Sequence, residues 1–168
     1  MWYWFLKHLP LSHQSRKGYH QAWTLVELLL ILSILGTLAA IAVPVYTGYL
    51  VKQRNTTATV DICNIESQIE RFRALSGRPP NNFAEAGIAA SKDAWGYPYN
   101  YLRIEGLDKK EWDGKCRRDK FLKPLNSDYD LYSMGIDGVS KPNINDKRSY
   151  DDIIRCNCGA YVGLASEY

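Results

Sequence analysis

The chain has 168 residues, of which 46% are hydrophobic and 23% are charged, and its formal net charge is +3 at pH 7. These values leave room for one folded domain with an appendage, and they exclude an intrinsically disordered chain. The charge is unevenly distributed, because residues 1–22 carry Lys7, Arg16 and Lys17 but no acidic residue. These 22 residues, the basic tip, therefore account for the whole net charge, and the positive and negative charges of residues 23–168 cancel.

An apolar segment follows the basic tip. Residues 23–51 contain a single charged residue, Glu27, and every residue from 28 to 43 is apolar, serine, threonine or glycine. A helix over residues 23–51 would be roughly 43 Å long, which exceeds the bilayer core of about 30 Å. A cleaved secretory signal is the alternative, but its apolar region is usually about 7–15 residues. We predict one membrane-spanning helix, with the basic tip in the cytoplasm.

Glu27 is the unusual residue of this segment. A carboxylate at the bilayer centre costs about 2.5–3.5 kcal/mol and usually has a partner. Either Glu27 lies at the membrane interface and is solvated, or it pairs with a cation that the nearby sequence does not contain. A new α-amino group, created by cutting the chain just before Trp23, would supply that cation.

The residues around the start of the apolar segment resemble a family signature. Ala22-Trp23-Thr24-Leu25-Val26-Glu27 is similar to the cleavage and methylation motif of type IV pilins and type II secretion pseudopilins. In that motif a small residue, usually Gly, precedes an aromatic residue, Thr, Leu, any residue and Glu. The resemblance implies that a prepilin peptidase removes residues 1–22 as a leader, that Trp23 is N-methylated, and that Glu27 acts in assembly.

Beyond Pro44, which we expect to kink or locally melt the helix, a second periodic pattern begins. Apolar residues recur at spacings of three and four: Ala58, Ile62, Ile65, Ile69, Phe72 and Leu75. This pattern predicts an amphipathic helix that packs against a head domain and ends near Gly77. Residues 83–90 are compatible with a short helix, and the Tyr-rich segments 97–104 and 128–134 alternate as strands do.

A basic insertion separates the two predicted strands. Residues 105–127 are predicted to form a loop, and between residues 109 and 123 seven basic and three acidic residues leave a net charge of +4. Basic residues with aromatics can bind nucleic acid. The interleaved acidic residues favour a solvated loop instead, so we expect no nucleic-acid partner.

Four cysteines lie in the polar part of the chain, at Cys63, Cys116, Cys156 and Cys158. An even number in a small exported domain suggests disulfides, although free thiols or a metal are alternatives. Cys-x-Cys without a nearby histidine is a poor zinc pattern. A bond between Cys156 and Cys158 would be strained, so we expect at least one of them to pair with Cys63 or Cys116.

Two further segments narrow the resemblance to the major pseudopilins of type II secretion systems. Asp93-Ala94-Trp95-Gly96-Tyr97-Pro98-Tyr99 resembles their Asp-Pro-Trp-Gly-x-Pro-Tyr element. Tyr129-Asp130-Leu131-Tyr132-Ser133-Met134-Gly135-Ile136-Asp137-Gly138 resembles their Tyr-Asp-Leu-x-Ser-x-Gly-x-Asp-Gly element. The chain departs from the family pattern at Ala94, in the 105–127 insertion, in a longer loop over residues 139–150, and in the tail after Arg155.

The acidic residues of the second element have two interpretations. Asp151-Asp152-Ile153 resembles the end of the family's calcium loop, and this implies a Ca²⁺ ion held by Asp137, Asp151 and Asp152 with backbone carbonyls. Calcium takes six to eight oxygen ligands, often from irregular loops. Alternatively, these aspartates only stabilise turns.

Together these observations predict an α+β protein: a long N-terminal helix, first transmembrane and then amphipathic, packed on a small antiparallel sheet with long loops. The predicted parts are the leader over 1–22, the transmembrane and filament-core helix over 23–51, and a periplasmic head over 52–168. No nucleophile with a paired base, no phosphate loop and no histidine after residue 20 is present, so we expect no enzyme.

The resemblance implies a structural subunit in the bacterial inner membrane that polymerises with itself. Its further partners would be the prepilin peptidase, other pseudopilins, an inner-membrane assembly platform and membrane lipid. The polymer would be a periplasmic pseudopilus that drives type II secretion. A type IV pilus subunit for adhesion, motility or DNA uptake is the second hypothesis. A membrane-anchored binding domain that does not polymerise is the third, although such an anchor has no need for Glu27.

Overall fold

A computed structural model of the protein describes residues 23–168, so the predicted leader over residues 1–22, with Ala22, lies outside the described residues. Helix α1 spans Leu25–Ser76 and contains Pro44. The helix is not melted at Pro44, because proline removes only one backbone hydrogen bond from a helix of 52 residues. The chain divides at this point into two compact units, one ending at Val43 and one running from Pro44 to Tyr168.

The described part of the first unit is purely helical, apart from its first two residues. All side chains from residue 23 to 43 are exposed, although most of them are apolar. Among residues 23–168, α1 is the one helix that is long and apolar enough to cross a membrane. The predicted apolar helix is therefore present, and its apolar side chains between residues 23 and 43 are exposed.

In the second unit, the remainder of α1 packs through the predicted apolar stripe. Ala58, Ile62, Ile65 and Ile69 are buried. Leu75 is 86% exposed, so its assignment to the stripe was wrong: the helix ends at the next residue and leaves nothing for Leu75 to pack against. The helix ends next to Gly77, as predicted. Gly77 has a φ of 73° and donates its N–H to the carbonyl of Arg73 at 2.8 Å, which caps the helix.

The head contains a four-stranded antiparallel sheet in the order β1-β2-β3-β4. The strands span Asn100–Arg103, Tyr129–Ser133, Ile153–Cys156 and Tyr161–Leu164. Strands β1 and β2 lie inside the two predicted segments, and Tyr101 of β1 faces Leu131 of β2. Strands β3 and β4 were not predicted. The α+β fold with an antiparallel sheet is thus confirmed.

Two apolar clusters lie on opposite faces of the sheet. Ile153 belongs to the cluster that includes the stripe of α1, whereas the adjacent Ile154 belongs to the other cluster, as neighbours in a strand do. That second cluster contains Leu125 from the insertion and Ile144 from the long loop. Apolar residues of the insertion and of the long loop therefore pack in this second cluster and cover the second face of the sheet.

The connections contain little regular structure. Within residues 105–127 the only helix is the short α2, Lys109–Trp112, so the predicted loop is largely confirmed. The segment 83–90 forms turns instead of the expected helix, because Gly87 has a φ of 68° and closes a turn onto Ala84. Short 3₁₀ helices occur at Lys147–Ser149, Asn157–Gly159 and Ala165–Glu167.

Candidate functional site

The first candidate site is the start of α1, where Thr24 and Glu27 cap the helix reciprocally. The Glu27 carboxylate accepts hydrogen bonds from the amide and the hydroxyl of Thr24 at 2.9 and 2.8 Å. The Glu27 amide in turn donates to the Thr24 hydroxyl at 3.2 Å. This is a capping box, which satisfies donors that the first helical turn leaves without partners.

Glu27 thus has a local partner that the sequence analysis did not anticipate. Within residues 23–168 no lysine or arginine forms a salt bridge with Glu27. Trp23 lies next to the capping box and is 71% exposed. Cleavage after Ala22, methylation of Trp23 and the assembly role of Glu27 remain predictions, and the arrangement leaves the carboxylate accessible to a cation from another molecule.

The two head segments that carry the family resemblance form one structural unit. One oxygen of the Asp93 side chain accepts the amides of Trp95 and Tyr97 at 3.0 and 2.8 Å, which holds a tight turn. Its other oxygen accepts the Ser133 hydroxyl at 2.5 Å. Asp93 and Ser133 are both buried. These motif residues therefore join two parts of the head, and the contacts assign them a structural role.

The glycines of the second element permit close packing. Gly135 has a φ of 64°, and a Cβ placed there would lie 2.3 Å from the backbone oxygen of Asp151. Gly138 has a φ of 66°, and its Cβ would lie 2.4 Å from the ring of Tyr97. Both the backbone conformation and the available space therefore require glycine at these two positions.

The three aspartates predicted to hold calcium do not converge. Asp137 uses its carboxylate to accept the Val139 amide at 2.7 Å, and Asp151 accepts the Asp137 amide at 3.1 Å. Asp152 is fully buried and pairs with the guanidinium of Arg117. Among residues 23–168 no group of three His, Cys, Asp or Glu side chains is placed to hold a metal ion.

These carboxylates therefore do not fit the predicted ion in this arrangement. A calcium ion needs several oxygens directed at one point, whereas each of these carboxylates already accepts hydrogen bonds from a different donor. Burial raises the pKa of Asp152 to about 6, against the opposing effects of Arg117 and the Ser140 hydroxyl. Calcium binding itself stays a prediction from the resemblance.

The four cysteines are free thiols in the structure. Cys116 and Cys156 are buried, whereas Cys63 and Cys158 are exposed. Cys63 lies off the buried stripe of α1, and the Cys158 sulfur lies 3.2 Å from the Ser127 hydroxyl. A disulfide that joins the tail to the helix or to the insertion stays a prediction.

Two buried arginines are the polar residues that sequence reasoning missed. Arg155 of β3 donates to Glu66 of α1 at 2.7 Å and to Asp128 at 2.9 and 2.8 Å. Burial opposes ionisation of Asp128, but Arg155 and the Tyr129 amide outweigh it and lower the pKa of Asp128. Arg117 is likewise buried, beside Asp152. Neither arginine lies near its acidic partner in sequence, so no local pattern could reveal the pairs.

Comparisons with known proteins give relatives of two kinds. Type II secretion system core protein G of Pectobacterium carotovorum is 29% identical over 133 residues, which are 74% of this chain and 82% of that protein. The protein of the same name from Dickeya chrysanthemi is 28% identical over 144 residues, 83% of this chain and 88% of that protein. These alignments include much of the head.

The second kind consists of pilins. The fimbrial protein of Neisseria meningitidis serogroup A is 32% identical over 76 residues, which are 45% of this chain and 45% of that protein. The chain thus matches about half the length of these pilin relatives. No family model matches the chain, and no solved structure matches it. The chain is therefore similar in sequence to type II secretion system core protein G over most of its length and to type IV pilins over about half of it.

Proposed function

We propose that the chain is a structural subunit that polymerises into a periplasmic pseudopilus and drives type II protein secretion. The observation that carries this proposal is the extent of the alignments. The two core G proteins match 74% and 83% of the chain, whereas the meningococcal fimbrial protein matches 45% of it. The chain therefore shares more of its length, including head residues, with the secretion proteins.

The apolar part of α1 would serve twice, first as the inner-membrane anchor and then as the core of the filament. Its side chains between residues 23 and 43 are exposed and mostly apolar, so they need lipid or other helices around them. Stacking of these helices in a polymer would replace lipid by helix surfaces. The head would then stay on the periplasmic side, where growth of the filament pushes exported proteins outward.

Glu27 would align each new subunit with its neighbour. Removal of residues 1–22 by a prepilin peptidase would leave a positive amine on Trp23, and a neighbouring Glu27 would neutralise it. The capping box supports this step, because Thr24 holds the Glu27 carboxylate at the very start of the helix. Other pseudopilins, an inner-membrane assembly platform and membrane lipid would be the remaining partners.

A type IV pilus subunit is the second candidate, and the pilin alignments favour it. They show 32% identity with the meningococcal fimbrial protein, slightly above the 29% and 28% of the core G proteins. In this function the same helix would form the core of a surface filament used for adhesion, motility or DNA uptake.

Deletion of the gene in its own host tests the proposal. We expect the exported enzymes to be retained in the periplasm and surface filaments to be unchanged, as measured by enzyme assays of the medium and by electron microscopy. Loss of surface filaments with normal secretion would support the pilus function instead. If both remain normal, the chain is neither subunit, and a non-polymerising anchored domain becomes the better hypothesis.

A further inference from the structure

The guanidinium of Arg117 lies in the place where the family resemblance puts a cation. Arg117 is 2% exposed and pairs with the carboxylate of the fully buried Asp152. It also donates to the Ser140 hydroxyl and, at 2.5 Å, to the Lys141 carbonyl. On another side its Cζ lies 4.4 Å from the centre of the Tyr132 ring. A carboxylate, a hydroxyl, a carbonyl oxygen and an aromatic face therefore all contact one buried positive charge.

Backbone hydrogen bonds hold this arginine in place. The Arg117 amide donates to the Asp130 carboxylate at 2.6 Å, and its carbonyl accepts the Leu125 amide at 2.9 Å. The next residue, Arg118, donates to the Pro142 carbonyl at 2.7 Å and accepts the Ile144 amide at 3.0 Å. The 105–127 insertion is thus bound directly to the 139–150 loop, and the position of the guanidinium follows from that docking.

Each of the three predicted calcium ligands has a partner other than a metal. The carboxylates of Asp137 and Asp151 accept backbone amides, and Asp152 is the one predicted ligand paired with a cation. Within residues 23–168, the pair has two buried atoms without partners, the Arg117 Nε donor and the Asp152 Oδ1 acceptor. The unpaired Asp152 Oδ1 is a single oxygen, whereas a calcium ion takes six to eight oxygen ligands. A divalent ion bound by Asp152 would also be repelled by the guanidinium.

We propose that Arg117 is the built-in cation of the 139–150 loop, so that this loop folds without calcium. Two of the departures from the pseudopilin pattern, the insertion and the lengthened loop, are then parts of one structural device. The insertion supplies the positive charge, and the lengthened loop supplies Ser140 and Lys141, which bind the guanidinium together with Asp152. The head would keep its shape whatever the calcium concentration outside the cell membrane. This holds for a pseudopilus and for a pilus alike.

Thermal unfolding of the full-length chain in detergent tests the proposal in two arms. The first arm compares the unmodified protein in chelator with the same protein in about 10 mM calcium, above the dissociation constants of about 0.1–1 mM of extracellular modules. We expect the same melting temperature in both. The second arm compares Arg117→Gln with the control Arg118→Gln, whose partner Asp113 is exposed. We expect Arg117→Gln to lower the melting temperature by about 10 °C, because it leaves Asp152 buried and unpaired, and the control to lower it by about 2 °C or less.

Either of two results would overturn the proposal. A rise of several degrees when calcium is added to the unmodified protein would show that the loop uses the metal. Equal effects of Arg117→Gln and Arg118→Gln would show that the buried guanidinium has no special role. If Arg117→Gln fails to fold while Arg118→Gln folds, the loss of the fold itself supports the proposal. The comparison of the unmodified protein in chelator and in calcium then remains the test that can overturn it.

Discussion

Arg155 and Asp128 form a two-pronged ion pair inside the head, with parallel hydrogen bonds of 2.9 and 2.8 Å. The same guanidinium donates to Glu66 of α1 at 2.7 Å and lies 4.0 Å above the centre of the Tyr129 ring. One side chain from β3 therefore joins the helix to the sheet. Both members of the pair are buried. Without Arg155, Asp128 would keep only the longer contact to Arg73 at 4.0 Å.

We predict that Arg155→Met destabilises the head by about 3–5 kcal/mol, because Asp128 loses both short hydrogen bonds to a cation and methionine preserves most of the side-chain volume. Urea unfolding, followed by tyrosine and tryptophan fluorescence, would measure the change. Arg148→Met is the matched control, since Arg148 pairs with Asp146 on the exposed surface and its removal should change the unfolding midpoint little. Equal midpoints for the two variants would contradict the proposed role of Arg155.

Asp130 leads to a prediction about pH. Burial raises its pKa from 3.8 to about 6, whereas Asn126 and Arg117 oppose this and Asp128 adds to it. The folded state therefore takes up a proton at a higher pH than the unfolded chain does. Between the pKa of Asp130 in the unfolded chain and its pKa in the folded state, the folded state binds more protons. The contribution of Asp130 to the free energy of unfolding therefore rises by about 1 kcal/mol as the pH falls from about 7 to about 5.

Unfolding of the full-length chain and of Asp130→Asn at both pH values would test this. The head has no histidine, since all three precede residue 21, so histidine titration does not obscure the window. We expect Asp130→Asn to remove the share of the gain that comes from Asp130 and to leave the share of Asp152, whose pKa burial also raises to about 6. The raised pKa of Asp130 would be disproved if the unmodified protein became less stable as the pH falls from about 7 to about 5 and Asp130→Asn responded to pH in the same way.

The sequence predicted those helices and strands in which apolar residues recur at a regular spacing. The stripe from Ala58 to Ile69 follows helical spacing, and the Tyr-rich segments alternate in sequence as strands do. Strand β3 has no such signal, because all four residues of Ile153–Cys156 are buried and the strand includes an arginine. Strand β4 contains Gly163 and is equally short. In β3 the adjacent Ile153 and Ile154 pack in clusters on opposite faces, so its sequence lacks the alternation on which the prediction depends.

The polar contacts were less predictable than the fold. Arg155 pairs with Glu66 across 89 residues, and Arg117 pairs with Asp152 across 35 residues. Local spacing carries no information about such partners. The seven basic residues between 109 and 123 look alike in sequence, and only packing singles out one of them for burial. The family resemblance assigned Asp152 to a calcium ion, whereas its partner in the structure is Arg117, from the segment predicted to be a solvated loop.

We predict that the mature protein begins at Trp23. The motif places the cut before the apolar helix, whereas an ordinary signal peptidase would cut after such a segment. Mass spectrometry of protein purified from its own host should show an N-terminal Trp23 that carries a methyl group. Ala22→Glu is a useful variant, because a bulky charged residue there should block the peptidase. An intact Met1 in the unmodified protein, or a first residue beyond 40, would show that the prediction is wrong.

The last prediction separates the two roles that Glu27 has in the structure and in the proposed filament. Glu27→Gln keeps a side-chain oxygen that can accept the Thr24 hydrogen bonds but removes the charge, whereas Thr24→Ala weakens the cap and keeps the charge. If Glu27 neutralises the amine of a neighbouring subunit, Glu27→Gln should reduce filament yield severely, because it leaves that amine unpaired in an apolar core. Thr24→Ala should assemble nearly normally.

Filament yield would be measured by shearing and electron microscopy, and head stability by thermal unfolding, which both variants should leave unchanged because residues 24 and 27 precede the head. A defect confined to Thr24→Ala would mean that Glu27 acts only as a helix cap, since the variant without the charge would then assemble normally. A defect of equal size in both variants would mean that the geometry of the cap matters as much as the charge, because Thr24 holds the carboxylate at the helix start.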